Sequence, residues 1–201
     1  FFRHAPDRQE RQERDAEPVE EEHVARHLQE VGEARDAGPP RRFGAVRERC
    51  AGRAQVAAEV ARGVTRLFCR HDLFAMCEVP LANGRRADLM AIGPKGELTI
   101  VEIKVSKADL LGDQKWTDYL DYCDRFFWAV PHALAQFLEE DRFLPGEAGL
   151  LIADRYDAVV MREPSTRLLA PARRKAEMLR FARRAARRLS AQIDPSLGES
   201  F

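Results

Sequence analysis

Three residues carry the clearest chemistry in this chain: Asp88, Glu102 and Lys104. Glu102 and Lys104 lie two positions apart in the apolar run LTIVEIK (98–104). In an extended strand alternate residues share a face, so their side chains point one way while Thr99, Val101 and Ile103 point the other. Asp88 lies in the preceding run RADLMAI (86–92), and the turn signal Gly93-Pro94-Lys95-Gly96 between the runs is short enough to set it across from Glu102. Two carboxylates and one ammonium then meet at one end of a sheet, among Leu89, Met90, Ile100, Val101 and Ile103. Desolvating each such ion costs on the order of several kcal/mol unless it is paired or metal-bound. Adjacent carboxylates repel, which drives a proton onto one of them unless a divalent cation keeps both ionised. Oxygen-only ligands suit Mg²⁺ or Mn²⁺, which take the rest of their shell from water and a substrate phosphate. The backbone carbonyl of Ile103 is a candidate to complete that shell, and the lysine would orient the attacking water and balance charge on phosphorus.

An isolated E-x-K in a strand is most often an ordinary ion pair at the rim of a sheet, so the surrounding elements decide its weight. From Ala54 to Phe68, Val56, Val60, Val64, Leu67 and Phe68 recur at three- and four-residue steps, which predicts an amphipathic helix. Three strands follow, at 73–79, 86–92 and 98–104, joined by turns short enough to require an antiparallel meander. A second helix is predicted from Asp113 to Cys123, with Trp116, Leu120 and Cys123 on one side, and RFFWAV (125–130) reads as a buried strand. Two more strands, at 149–153 and 157–161, precede a closing helix from Ala172 to about Leu189. Helix, three strands, helix, strand is a mixed α/β core.

The formal net charge is +0, which by itself gives no reason to expect a nucleic-acid partner. The distribution does: residues 54–160 hold 12 basic and 17 acidic side chains (12 − 17 = −5), whereas 172–190 hold eight basic and one acidic (8 − 1 = +7). Residues 1–49 contain 22 charged side chains and only eight of the Leu, Ile, Val, Phe and Met type, so they are expected to form a mostly disordered arm, with a transient helix around 18–35. One domain is expected over 50–201. Cys50, Cys69, Cys77 and Cys123 show neither a CxxC pair nor zinc-ligand spacing, and read as reduced, mostly buried thiols. No run of eighteen apolar residues and no secretory signal are present, so a soluble, cytoplasmic protein is expected.

The order of helix, acid on the second strand, E-x-K on the third, helix and strand resembles the PD-(D/E)xK, or restriction-endonuclease-like, nuclease superfamily over about residues 54–130. More specifically, NGRRADLMAI and VEIKVSKADLLGDQKWTDYLDYCDRFFWAVP resemble the MmcB family of bacterial DNA-repair-associated proteins, and the similarity continues through GLLIAD and APARRKAEMLRFARRAARRL. The superfamily resemblance implies a metal-dependent phosphodiesterase fold, with Asp88 and Glu102 as metal ligands and Lys104 as the catalytic lysine. Ala87 stands where the eponymous proline would be. Many superfamily members add an acid from the first helix, which here is Glu59. Glu78, ending the first strand, is a further acid within reach of the metal end, although such a glutamate is more often solvated. The Gln-x-x-x-Tyr pattern of several branches is present only in altered form, with Lys115 four residues before Tyr119. Lys115 and Lys107 are therefore candidate phosphate contacts, while Trp116 and Tyr119 read as packing aromatics.

In the closing helix Arg173, Arg174, Arg180 and Arg184 are candidate DNA contacts, with Lys175, Arg183, Arg187 and Arg188 adding to the charge. Each phosphate neutralised would release counterions. The plainer reading is a surface helix whose arginines are solvated or pair with the acidic core. The expected function is Mg²⁺- or Mn²⁺-dependent hydrolysis of DNA in repair, with other repair or translesion-synthesis proteins as candidate partners and no membrane. The alternative is a DNA-binding scaffold that keeps the fold without cutting. Carboxylate chemistry on a small molecule ranks last, because no phosphate-cradling glycine loop or nucleophile motif is present.

Overall fold

The computed structural model describes residues 44–113 and 115–198. The predicted N-terminal arm lies outside the described residues up to residue 43. Helix α1 spans Gly44–Arg70, beginning six residues ahead of the expected domain boundary at residue 50. The remaining elements are β1 (Phe74–Pro80), β2 (Arg86–Ile92), β3 (Leu98–Ile103), α2 (Lys107–Gly112), β4 (Arg125–Val130), β5 (Gly149–Ala153), β6 (Ala158–Arg162) and α3 (Pro171–Ile193). Short 3-10 helices occupy Trp116–Tyr122 and His132–Glu139.

The six strands form one sheet in the order β1-β2-β3-β4-β5-β6. The first three make the predicted antiparallel meander, β3–β4 and β4–β5 are parallel, and β6 returns antiparallel. Every residue of β3 and β5 is buried, as expected for central strands covered on both faces.

Alternation along the strands divides the core in two. On one face Val60, Val64, Leu67 and Phe68 of α1 pack on Leu89, Val101, Ile103, Phe127 and Leu151. Helix α1 also lies so close to the β5–β6 turn that a Cβ at Gly63 would collide with the backbone oxygens of Asp154 and Asp157. On the other face Leu110, Trp116, Tyr119 and Phe181 pack on Met90, Leu98, Ile100, Phe126 and Trp128. Trp128 is the hub of this side, with Trp116 and Phe143 edge-on to it at centroid distances of 5.3 and 5.6 Å.

The predicted helix 113–123 is not formed as one element. Helix α2 starts earlier, with Ser106 capping it through the Asp109 N–H, and ends at Gly112; the chain then breaks at Asp113 and re-enters as a 3-10 helix. Its buried residues are Trp116, Tyr119 and Tyr122, a spacing of three. That is the period of a 3-10 helix, in which positions i and i+3 eclipse, and not the 3.6 of an α-helix.

Helix α3 is pinned at its start by Asp124, which is buried. Its two carboxylate oxygens receive Arg174 Nη1 at 2.7 Å and Nη2 at 2.6 Å, together with the N–H groups of Leu98 and Leu169, both at 2.8 Å. Gly96, with φ +77° in the β2–β3 turn, packs against Met178 of the same helix. The thiols depart from expectation: all three described ones are free, but Cys69 and Cys77 are exposed and only Cys123 is buried. No helix among the described residues is long and apolar enough to cross a membrane.

Candidate active site

The pairing of Leu89 with Val101 continues by one step to put Asp88 across from Glu102, on the face opposite α1. There the ladder gives way to a side chain: Asp88 Oδ2 accepts the Ile103 N–H at 2.7 Å. The N–H and C=O of one strand residue point to the same edge, so the Ile103 carbonyl also faces the β2 side. On the other edge Lys104 N–H donates to the Ala129 carbonyl at 3.0 Å, which fixes the end of β3 against β4. Glu102 is registered with Trp128. Lys104 Nζ lies 3.1 Å from Glu102 Oε1 and 2.8 Å from Asp113 Oδ2, with both partners largely shielded from water.

These contacts set the charge states. Burial, and then the neighbouring Asp88, push the Glu102 carboxyl up to about 7. Burial also raises Asp88, opposed by the Ile103 amide and by Lys104. Burial alone would lower Lys104, but Glu102 and Asp113 outweigh it and hold the ammonium above the ordinary lysine range. Tyr119 donates its hydroxyl to the Arg86 carbonyl at 3.1 Å, and burial followed by the charges of Glu102, Asp88 and Asp113 raises its pKa.

Glu102 Oε2 is buried and has no hydrogen-bond partner. An orphaned carboxylate oxygen next to a second carboxylate is costly as it stands and is what a cation would satisfy. The donors are oxygens only, which fits Mg²⁺ or Mn²⁺. No group of three His, Cys, Asp or Glu side chains among the described residues is arranged around a common ion position. The protein would therefore contribute two carboxylates and the Ile103 carbonyl, a small set of the kind Mg²⁺ accepts when water and phosphate complete its shell.

A sequence model of the MmcB-like DNA repair proteins matches residues 47–196. The chain belongs to the MmcB-like family. Family membership gives this MmcB-like protein a role in DNA repair. It is also similar to a solved protein of unknown function from Silicibacter pomeroyi, with 47% identity and a TM-score of 0.63 over 68% of this chain and 90% of that one. No curated protein matches it.

The other expected site residues of this MmcB-like chain divide. Glu59 is not brought to Asp88 and Glu102: it sits on α1, which covers the opposite face, and its side chain accepts from Gln55 on the same helix. Arg174 is paired with the buried Asp124 inside the fold, with little of its side chain left exposed. Arg173 lies over the Tyr122 ring at 4.9 Å, and Arg180 pairs with the buried Glu177 at 2.5 Å, yet both remain largely exposed. Lys107 is exposed and sits over Phe137. Lys115 is exposed, and its N–H donates to Asp113 Oδ1 at 3.1 Å. Arg184 is half-buried near Arg187 and Arg188; burial and then those two charges lower its pKa.

Two residues have larger roles at the site than their sequence context predicts. Asp113 opens the helix predicted over 113–123, but the break between α2 and the 3-10 helix turns it onto Lys104. Tyr119 reads as packing, and it packs, yet its hydroxyl, bonded to the Arg86 carbonyl, lies close enough to the carboxylates for burial and then their charges to raise its pKa. The signals in the sequence are the Ser106 cap, which starts a helix too early to continue to Cys123, and the three-residue spacing of Trp116, Tyr119 and Tyr122. Glu78 is a rim residue. It falls opposite Asp88 in the β1–β2 register, takes φ +54°, pairs with Arg86, and its carbonyl accepts from Arg188 at 3.1 Å. A non-glycine residue in the left-handed region is strained, and such strain concentrates at functional sites.

Proposed function

We propose that this MmcB-like protein hydrolyses phosphodiester bonds of DNA with Mg²⁺ or Mn²⁺, using a PD-(D/E)xK-type site. The observation that carries this reading is the buried, unpartnered Glu102 Oε2 beside Asp88, with Lys104 on the other oxygen of the same carboxylate. Asp88, Glu102 and the Ile103 carbonyl would hold the cation, which when bound supplies Lewis-acid polarisation of the scissile phosphate. Lys104 stays protonated and presents positive charge where negative charge develops on the phosphoryl oxygens. Asp113 positions Lys104, and the Asp88–Ile103 bond holds the aspartate against the end of β3. The aromatic cluster around Trp128 excludes water beneath the site and strengthens each of these interactions.

The approach of DNA follows from one flank of α3. Arg173 over Tyr122 marks the flank turned toward the 3-10 helix, and Arg180, Arg184 and Arg187 continue it at steps of seven, four and three residues. Arg184, crowded by like charges, is relieved by an anion, so this flank suits the phosphate backbone.

One observation favours a second reading, a DNA-binding scaffold that does not cut. Lys104 is already bonded to two carboxylates, which is also what a purely structural ion network looks like. Incubating labelled single-stranded, duplex, flap and nicked DNA with Mg²⁺ or Mn²⁺ separates the two. A nuclease cuts at least one substrate, and Asp88→Asn and Lys104→Ala each abolish cutting. A scaffold binds without cutting, and its binding survives both substitutions but weakens when arginines of α3 are replaced.

A further inference from the structure

Helix α3 has three faces, of which the fold and the DNA flank use two. At 3.6 residues per turn, Arg174, Glu177, Phe181 and Arg188 fall toward the sheet and are buried or half-buried, and the half-buried Arg184 lies on the border between that face and the DNA flank. Arg173, Arg180, Arg183 and Arg187 lie along one side. The other side carries Lys175, Leu179, Ala182, Ala186, Leu189 and Ile193, all exposed, with Leu179 at 59%, Leu189 at 61% and Ile193 at 87%. Their steps are four, three, four, three and four residues, the alternation of a helix–helix seam. Single exposed apolar residues need no explanation, but a continuous stripe along a surface helix marks an interaction surface.

The arrangement of the stripe identifies its occupant. Its centre reads alike from either end, with Leu179 and Leu189 bracketing Ala182 and Ala186, while the two ends differ: Lys175 lies beyond one leucine, and Ile193 followed by Asp194 beyond the other. Two copies of α3 packed antiparallel about a two-fold axis at residue 184 set Leu179 against Leu189 and Ala182 against Ala186. The small central residues let the helix axes approach to about 8 Å. About that axis Lys175 of one copy falls opposite Ile193 of the other, one residue from Asp194, so its long side chain lies within reach of the opposite charge. A parallel pairing would instead put lysine beside lysine and aspartate beside aspartate. Most of the arginine flank points away from this seam, which lessens the repulsion between the two basic helices.

We propose that the chain forms a two-fold symmetric dimer through the exposed stripe of α3, with Lys175 of each copy paired to Asp194 of the other. A closed, self-complementary contact is the usual form of a homodimer. One helix pair buries less than a standard interface, so the dimer is reversible and in the micromolar range.

Sedimentation velocity of the full chain, run from low to high micromolar concentration, tests this. A monomer–dimer equilibrium is expected, and Leu189→Glu raises its dissociation constant by at least roughly tenfold, as removal of a central apolar anchor does. Lys175→Asp and Asp194→Lys each weaken the dimer, and the double variant, with the pair reversed, restores it. Unfolding cannot produce that restoration, and circular dichroism verifies that each variant is folded. A chain that is monomeric at every concentration overturns the proposal, as does a dimer that Leu189→Glu and both single charge reversals leave intact.

Discussion

Lys104 Nζ lies 2.8 Å from Asp113 Oδ2, a residue nine positions further along the chain that α2 carries back over the end of β3. With Glu102 on its other side at 3.1 Å, the lysine is held in one orientation and kept charged. Replacing Asp113 by Asn keeps the shape and removes the charge. If Lys104 acts on the phosphate, this substitution lowers kcat by roughly ten- to a hundredfold with little change in KM, the pattern for an interaction realised mainly in the transition state. Steady-state cleavage kinetics measure the split.

Lys104→Ala leaves Asp88, Glu102 and Asp113 without their shared cation. Breaking a buried ion network by removing one partner typically costs about 3–5 kcal/mol. The destabilisation is expected in full at pH 8 and in reduced form at pH 5, where the pair Asp88–Glu102 holds a proton and less negative charge goes uncompensated. Urea unfolding at the two pH values measures it.

The proton on that pair has a consequence for the wild-type protein. Glu102 is raised from an ordinary 4.5 to about 7 in the fold, so between those values the folded state binds more protons than the unfolded chain. Stability contributed by this group is therefore present at low pH, falls as pH rises from about 4.5 to about 7, and is level above that. The change is on the order of 3 kcal/mol. It is read as the difference between wild type and Glu102→Gln, whose stability lacks this component. In wild type, saturating Mn²⁺ is expected to remove most of the slope, because the cation replaces the proton.

The arginines of α3 separate by role. Arg174→Ala uncovers the buried Asp124 and is expected to cost about 3 kcal/mol or more in stability. Arg184→Ala and Arg187→Ala are expected to make the dependence of log affinity for DNA on log salt shallower, by about one in slope for each phosphate that is no longer neutralised. Binding isotherms at several salt concentrations, paired with thermal melts, distinguish the two classes.

Much of the fold was legible in the sequence because its strands are short, apolar and bounded by Gly-, Pro- and Asn-rich turns. The meander followed from turn length, and β4 was legible as a buried strand from its apolar run, though its parallel direction was not part of that reading. The pairing of Asp88 with Glu102 and Lys104 was legible too, since a period of two and one short turn determine which side chains share a face. Three features were not. Helix α1 extends ahead of its apolar stripe, so periodicity cannot mark its start. Asp113 reaches Lys104 only because α2 ends at Gly112 and the chain re-enters as a 3-10 helix, a break that tertiary packing of Trp116, Tyr119 and Tyr122 imposes. Arg174 looked like its neighbours in a basic run, and only the buried Asp124, fifty positions away, distinguishes it. Glu59 was assigned by resemblance, and the face on which α1 packs removes it from the site.

The central claim is that Asp88 and Glu102 hold a divalent cation, and calorimetric titration of the full chain with Mn²⁺ at pH 8 tests it most directly. The predicted result is one ion per chain, with affinity abolished in Glu102→Gln and Asp88→Asn and weakened in wild type at pH 6, where the proton competes. No binding up to millimolar Mn²⁺, or binding that both substitutions leave unchanged, would contradict the account.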